Sequence, residues 1–123
     1  MRKPIVKMQI DQSNKETELY IRETEVFKGT AKLLSLPFKI EILIRLNDAI
    51  VLLVSNDPSL EDQNIFCYSL TGDLKWQIPR PVKIHDRNYY SSVYLIDSEL
   101  YAYSVSGVEY LLDEKTGQIL KSQ

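Results

Sequence analysis

Polar and apolar positions alternate most clearly from Leu36 onward. Ile40, Ile42, Ile44 and Leu46 are interleaved with Glu41, Leu43 and Arg45, a period of two that turns one strand face toward a core. Asn47-Asp48 marks a turn. Ala49 to Val54 is then continuously apolar, as expected of a strand covered on both faces. A polar loop over residues 55–63, containing Asn56-Asp57-Pro58, precedes a strand over 64–69. Thr71-Gly72 turns the chain, and Leu74, Trp76 and Ile78 alternate again. Four strands in simple up-and-down order are predicted.

A second round follows a longer connector over residues 79–90. Residues 92–96 and 100–103 read as a hairpin around Asp97-Ser98, and Tyr101 and Tyr103 share the face opposite Leu100 and Ala102. Residues 108–112, a turn at 113–117 and a short strand through Leu120 complete it. The first 30 residues predict a hairpin. One strand runs over 5–10, a polar turn over 11–15, and a returning strand over 18–27 before Gly29. A charged amphipathic helix over 15–27 competes, weakened by the β-branched Thr17, Thr24 and Val26.

The two rounds share a short pattern around Gly72 and Gly117, 45 residues apart. A repeat of about 40–45 residues is the spacing of four-stranded β-propeller blades. Asp113-x-x-Thr116-Gly117-x-x-Leu120 resembles the blade motif of quinoprotein-type (PQQ-like) β-propeller repeats, whose aspartate-to-glycine turn leads to a tryptophan four residues after the glycine. Thr71-Gly72-Asp73-Leu74-Lys75-Trp76 has that tryptophan, with Ser69 near the aspartate position. The second copy keeps the aspartate and carries Lys121 in place of the tryptophan. Small bacterial proteins with this Leu-Pro-Phe, Trp-Gln-Ile and Thr-Gly layout are similar to this chain. The resemblance covers about residues 40–121 and implies blade geometry. It does not imply a quinone, because two incomplete blades cannot close the ring that lines such a cofactor channel.

The expected fold is therefore all-β. Two antiparallel four-stranded meander (blade-like) sheets, over 36–79 and 91–123, pack as a sandwich or open barrel. The N-terminal hairpin (1–35) closes an edge, and Trp76 covers the sheet beside it. A length of 123 residues fits one domain. Eight tyrosines favour strands, and three alanines leave little helix former.

Charge narrows the partners. The net charge of −2, without a basic block, gives no footprint for duplex nucleic acid. The longest apolar stretch, Ala49 to Val54, is far below the ~20 residues of a membrane span. The opening residues form no signal-peptide apolar run. The lone Cys67 cannot form an internal disulfide, so a reducing, bacterial-type cytoplasm is expected.

Few residues carry chemistry. One cysteine and one histidine fall short of a zinc set, and the 55–63 loop lacks the glycine turn of a calcium loop. Neither metal nor cofactor is expected. Two segments stand out as protein-contact surfaces. One is the loop acids Asp57, Glu61 and Asp62, on a long loop of the kind that carries function in compact domains. The other is the connector, where Arg80, Lys83, His85 and Arg87 are interleaved with aromatic Tyr89 and Tyr90 and the local charge is +2.

The functional expectation is a non-enzymatic protein-binding module, monomeric or weakly homo-oligomeric. Its most specific form is an immunity (antitoxin-like) protein that neutralises a bacterial toxin by direct binding. An acidic inhibitor is steered toward a basic toxin. Two alternatives stand beside it: a propeller-fragment structural protein that self-associates through sheet edges, and a small hydrolase using Cys67 and His85.

Overall fold

A computed structural model describes residues 18–81 and 88–123, and these form eleven strands in three antiparallel sheets. The N-terminal sheet is β1 (Leu19–Arg22), β2 (Glu25–Lys28) and β3 (Ala31–Ser35). The central sheet runs β4 (Ile40–Arg45), β5 (Ala49–Val54), β6 (Ile65–Ser69) and β7 (Leu74–Gln77) in chain order. The C-terminal sheet repeats that order with β8 (Tyr90–Ile96), β9 (Glu99–Ser104), β10 (Glu109–Leu112) and β11 (Ile119–Ser122). The all-β class and the two four-stranded meanders are as the alternation predicts.

The central sheet is buried on both faces. In β5 every side chain is buried, and the strand's period of two divides them. Ala49, Val51 and Leu53 join Ile44, Cys67 and Trp76 against Val93, Ala102 and Tyr110 of the C-terminal sheet. Ile50, Leu52 and Val54 join Leu43 and Phe66 against Leu19 and Val26 of the N-terminal sheet. Register enforces the division, since Ile44, Val51, Cys67 and Trp76 are cross-strand partners, as are Leu43, Leu52 and Phe66. Each such side chain contributes about 1.5–3 kcal/mol relative to exposure.

The N-terminal expectation needs correction. The predicted returning strand over 18–27 is broken in two. Glu23 adopts the left-handed region (φ 53), the chain reverses at Glu23-Thr24, and β3 follows Gly29 as a further strand. The described part of the competing helix, 18–27, is strand and turn. The predicted strand over 5–10 and turn over 11–15 lie outside the described residues. Nor does this unit close an edge; it covers the second face of the central sheet.

One local expectation also changes. Leu74 was expected to share a buried face with Trp76 but is 56% exposed. A bulge between Cys67 and Tyr68 pairs Trp76 with Cys67 and Leu74 with Tyr68, so the two side chains take opposite faces. Trp76, for its part, reaches beyond its own sheet. Its Nε1 donates to the Glu114 carbonyl at 2.9 Å, in the turn between β10 and β11, and its ring lies over Gly117.

That contact explains the glycine. A Cβ on Gly117 would lie 2.4 Å from Trp76 Cε3, and its φ of +76 suits glycine independently. Gly72 stands in the same relation to the preceding sheet, its Cβ position 2.8 Å from the Leu33 carbonyl oxygen on β3. Each glycine turn is thus overlain by the last strand of the sheet before it. Gly29, 43 residues before Gly72, marks a third, shorter round that the two-copy pattern did not reveal. The described strands close no ring.

Gly117→Ala should therefore cost about 2 kcal/mol by combining overpacking with backbone strain. Gly107→Ala, where a Cβ meets only Tyr103 Oη at an ordinary 3.7 Å, should cost only the strain of its positive φ, about 1 kcal/mol. Urea denaturation of the two variants checks the order.

Candidate functional site

The loop between β5 and β6 is built by its own polar side chains. Asp57 caps a single turn of 3-10 helix, Pro58–Leu60, accepting from the Ser59 amide at 2.9 Å and its hydroxyl at 2.7 Å. These hydrogen bonds hold the Asp57 carboxyl below its ordinary value. Leu60 is buried beneath the turn. Glu61 and Asp62 then take consecutive left-handed backbone conformations (φ 52 and 69), a strained pairing for residues other than glycine.

That strained pair faces the connector. Glu61 forms an ion pair with Arg80, and Asp62 Oδ2 accepts from the Asn88 amide at 3.2 Å. Gln63 donates to the Ile78 carbonyl at 3.0 Å and accepts from Gln77 Nε2 at 2.8 Å. The ion pair is solvent-exposed and worth little alone, about 0–1 kcal/mol. Its value is positional: the 55–63 loop meets the described ends of the connector, at Arg80 and Asn88, as one face.

The decisive joint is Asn64, which is 1% exposed. Its Nδ2 donates to the carbonyls of Val54 (3.0 Å) and Tyr90 (2.8 Å), and its Oδ1 accepts from the Tyr90 amide at 2.9 Å. The side-chain amide thus pairs with Tyr90 as a neighbouring strand would, joining the central sheet to the start of β8. Nothing in the sequence separated this asparagine from an ordinary strand-end residue.

The predicted contact residues divide accordingly. Asp57, Glu61, Asp62 and Arg80 surround the joined loops, and Tyr89 is half-buried beside them. Tyr90 is a correction. It is 1% exposed, packs edge-on to Tyr110 and donates its hydroxyl to the Pro79 carbonyl, so its ring is closed to a partner. Burial pushes its phenol up. Lys83, His85 and Arg87 lie outside the described residues.

A cavity of about 400 Å³ opens where the joined loops meet β8 and β9. Glu41, Asn56, Asn64, Tyr89 and Ser91 supply its polar wall, with Val54 and Val105 as apolar lining. Glu41 is exposed and accepts from the Ser55 hydroxyl at 2.7 Å. Asn56 Oδ1 is buried and has no hydrogen-bond partner among the described residues. Sequence reasoning missed Glu41 because an outward acid on an alternating strand is the ordinary solvated case.

Residues 8–123 match the model of a family described as a domain of unknown function, DUF7957. The chain belongs to that family. No curated protein matches it.

Beyond the cavity, Ser91 donates to the Tyr103 carbonyl at 3.3 Å, linking the cavity wall to β9 of this DUF7957 member. Tyr101 and Tyr103 do share the outer face of the C-terminal sheet, and Tyr103 is 39% exposed. Tyr94 stacks on Tyr101 with ring centres 6.0 Å apart, and their hydroxyls donate to Glu109 and Glu99 respectively. Among the described residues, no group of three or more His, Cys, Asp or Glu is placed to hold a metal. Cys67, the proposed nucleophile of the hydrolase alternative, is fully buried between sheets, and burial pushes its thiol up to about 11. A buried, protonated thiol packs as a small core residue.

Two measurements check this account. Asn64→Asp replaces the donor that faces two buried carbonyls with an acceptor. It should cost at least about 3 kcal/mol in chemical denaturation. Iodoacetamide labelling of Cys67 at pH 8 should proceed only as fast as the protein unfolds, whereas rapid labelling of native protein would show the thiol accessible.

Proposed function

We propose that this protein is a non-enzymatic protein-binding module whose contact face is the joined surface of residues 55–64, 78–81 and 88–91. The observation that carries this reading is the convergence itself. The Glu61–Arg80 pair, the Asp62–Asn88 hydrogen bond and the Asn64 side chain hold two separate loops as one surface around a cavity. A face ordered during folding loses little further entropy on binding, so its contacts are converted more fully into affinity.

The most specific form of the proposal is an immunity protein that neutralises a toxin by direct binding. Its support is electrostatic. The chain is acidic overall, and Glu41, Asp57 and Asp62 lie on or beside the face, where Arg80 is paired with Glu61. Such a surface steers a basic partner and disfavours acidic ones. This reading puts the module in the bacterial cytoplasm, where the single Cys67 thiol stays reduced.

A second reading follows from the edges. Among the described residues each sheet ends in strands paired on one side only, which are templates for edge-to-edge association.

One experiment separates the two. The products of genes adjacent to this one are titrated into the protein by calorimetry, with light scattering of the free chain alongside. The binding module predicts a monomer that forms a one-to-one complex at micromolar or tighter Kd, weakened at least about tenfold by Glu61→Arg. Absence of binding by every neighbouring product sinks the proposal, and concentration-dependent self-association favours edge pairing in its place.

A further inference from the structure

The three sheets are related by one contact made twice. The last strand of each sheet lies over the glycine turn of the next, β3 over Gly72 through the Leu33 carbonyl and β7 over Gly117 through Trp76. Their first described strands converge, β1 lying against β4 and β4 against β8. The sheets therefore spread as a fan from one side. A spatial relation that repeats in this way ends in a closed ring when the rotation closes, and in a filament when it does not.

Among the described residues the series stops at both ends. The two apolar clusters fill the two gaps between sheets, and no further sheet lies on the outer face of the first or the last. Those outer faces are the walls of the fan's open side. On the C-terminal sheet, register places Tyr94, Tyr101, Leu111 and Lys121 in one row, with Tyr103 and Glu109 paired beside it and Glu99 beyond. On the N-terminal sheet, Tyr20, Phe27 and Lys32 form one row, with Arg22 and Glu25 paired beside it.

The walls match in kind and oppose in charge. Each centres on a stacked aromatic pair, Tyr94 with Tyr101 on one and Tyr20 with Phe27 on the other. Glu99 and Glu109 outnumber Lys121 on the C-terminal wall, whereas Arg22 and Lys32 outnumber Glu25 on the N-terminal wall. Among the described residues no ion pair engages Glu99 or Glu109. Closed radial arrays of sheets typically have about four to eight members, so three sheets fall short and a second copy supplies enough.

We propose that the outer face of the C-terminal sheet is a docking surface for the outer face of the N-terminal sheet of a second copy. Two chains thereby close one ring of sheets, and the two-fold axis makes the same contact twice. Strand spacing and rise give each wall about 200–300 Å², so the two contacts together bury roughly 1,000 Å², the low end for a specific association. The association is correspondingly weak, and the chain is monomeric at the micromolar concentrations of a calorimetric titration. The inference goes beyond the protein-binding reading and does not rest on it. It uses sheet faces, not sheet edges.

The test is sedimentation equilibrium of the full chain from about 10 µM to about 1 mM, the range of a weak interface. The mean mass should rise from one chain toward two and level there. Glu99→Lys with Tyr103→Lys makes the acidic wall basic, and Arg22→Glu with Lys32→Glu makes the basic wall acidic, all at exposed positions. Each double variant alone should associate at least about tenfold more weakly, and their equimolar mixture should regain the parent's association, because the two reversed walls attract each other. Recovery in the mixture reads the contact even where one variant is less stable. A chain still monomeric at the highest concentration, growth past two copies, or a mixture that does not recover overturns the proposal. Variants that associate like the parent also overturn it, in favour of edge pairing, which does not sense the walls. A chain that dimerises but binds no neighbouring gene product keeps this contact and loses the protein-binding reading, and a partner-binding chain that never dimerises does the reverse.

Discussion

Everything else in this fold depends on the central sheet being apolar on both faces. A strand such as β5, with six buried side chains, cannot stand at a solvent-facing surface. Covering one side requires the C-terminal sheet, and covering the other requires the N-terminal sheet. The order of the layers is thereby set by the hydrophobic effect, and the chain supplies the layers in the order it is synthesised. No long crossover is needed, since every described sheet is a meander of consecutive strands.

Apolar burial is strong but non-directional, so it does not by itself fix how one sheet sits on the next. Directional groups at the margins do that. Trp76 fixes the outer end of the central and C-terminal sheets through its hydrogen bond to Glu114 and its contact with Gly117. Asn64 fixes the opposite end by pairing with both main-chain groups of Tyr90. Between them lies the dry core of Val51, Cys67, Val93 and Ala102. A one-residue slip of β8 would turn Val93 outward and strip Asn64 of its partners together, which makes the penalty steep.

The strands of the central and C-terminal sheets were legible because period-two alternation and Gly or Asn-Asp turns are local signals. The N-terminal unit was less so. Residues 18–27 are compatible with one strand, and only the left-handed Glu23 divides them, a conformation that glutamate does not advertise in sequence. The continuous apolar run of β5 correctly announced two covered faces, yet it could not say which segment covered the second. Leu74 was misread for a related reason, since a bulge reverses the sense of alternation without changing residue type. In the candidate site, Asp57, Glu61, Asp62 and Arg80 were visible as loop charge. Asn64 and Glu41 were not, because their roles come from contacts with residues far along the chain.

The placement of the cavity follows from the same division between apolar and polar joints. Where Trp76 lies over Gly117, two sheets are brought together until no room remains for a Cβ. At the Asn64 end the link is a hydrogen-bonded side chain, which spans a gap that an apolar contact would have closed. The result is a recess with a polar wall of Glu41, Asn56 and Asn64 beside the apolar Val54 and Val105, on a scaffold whose stability resides elsewhere. Glu41, Asn56 and Tyr89 lie outside both buried apolar clusters, so this recess is the part of the surface that can vary in sequence while the fold is kept.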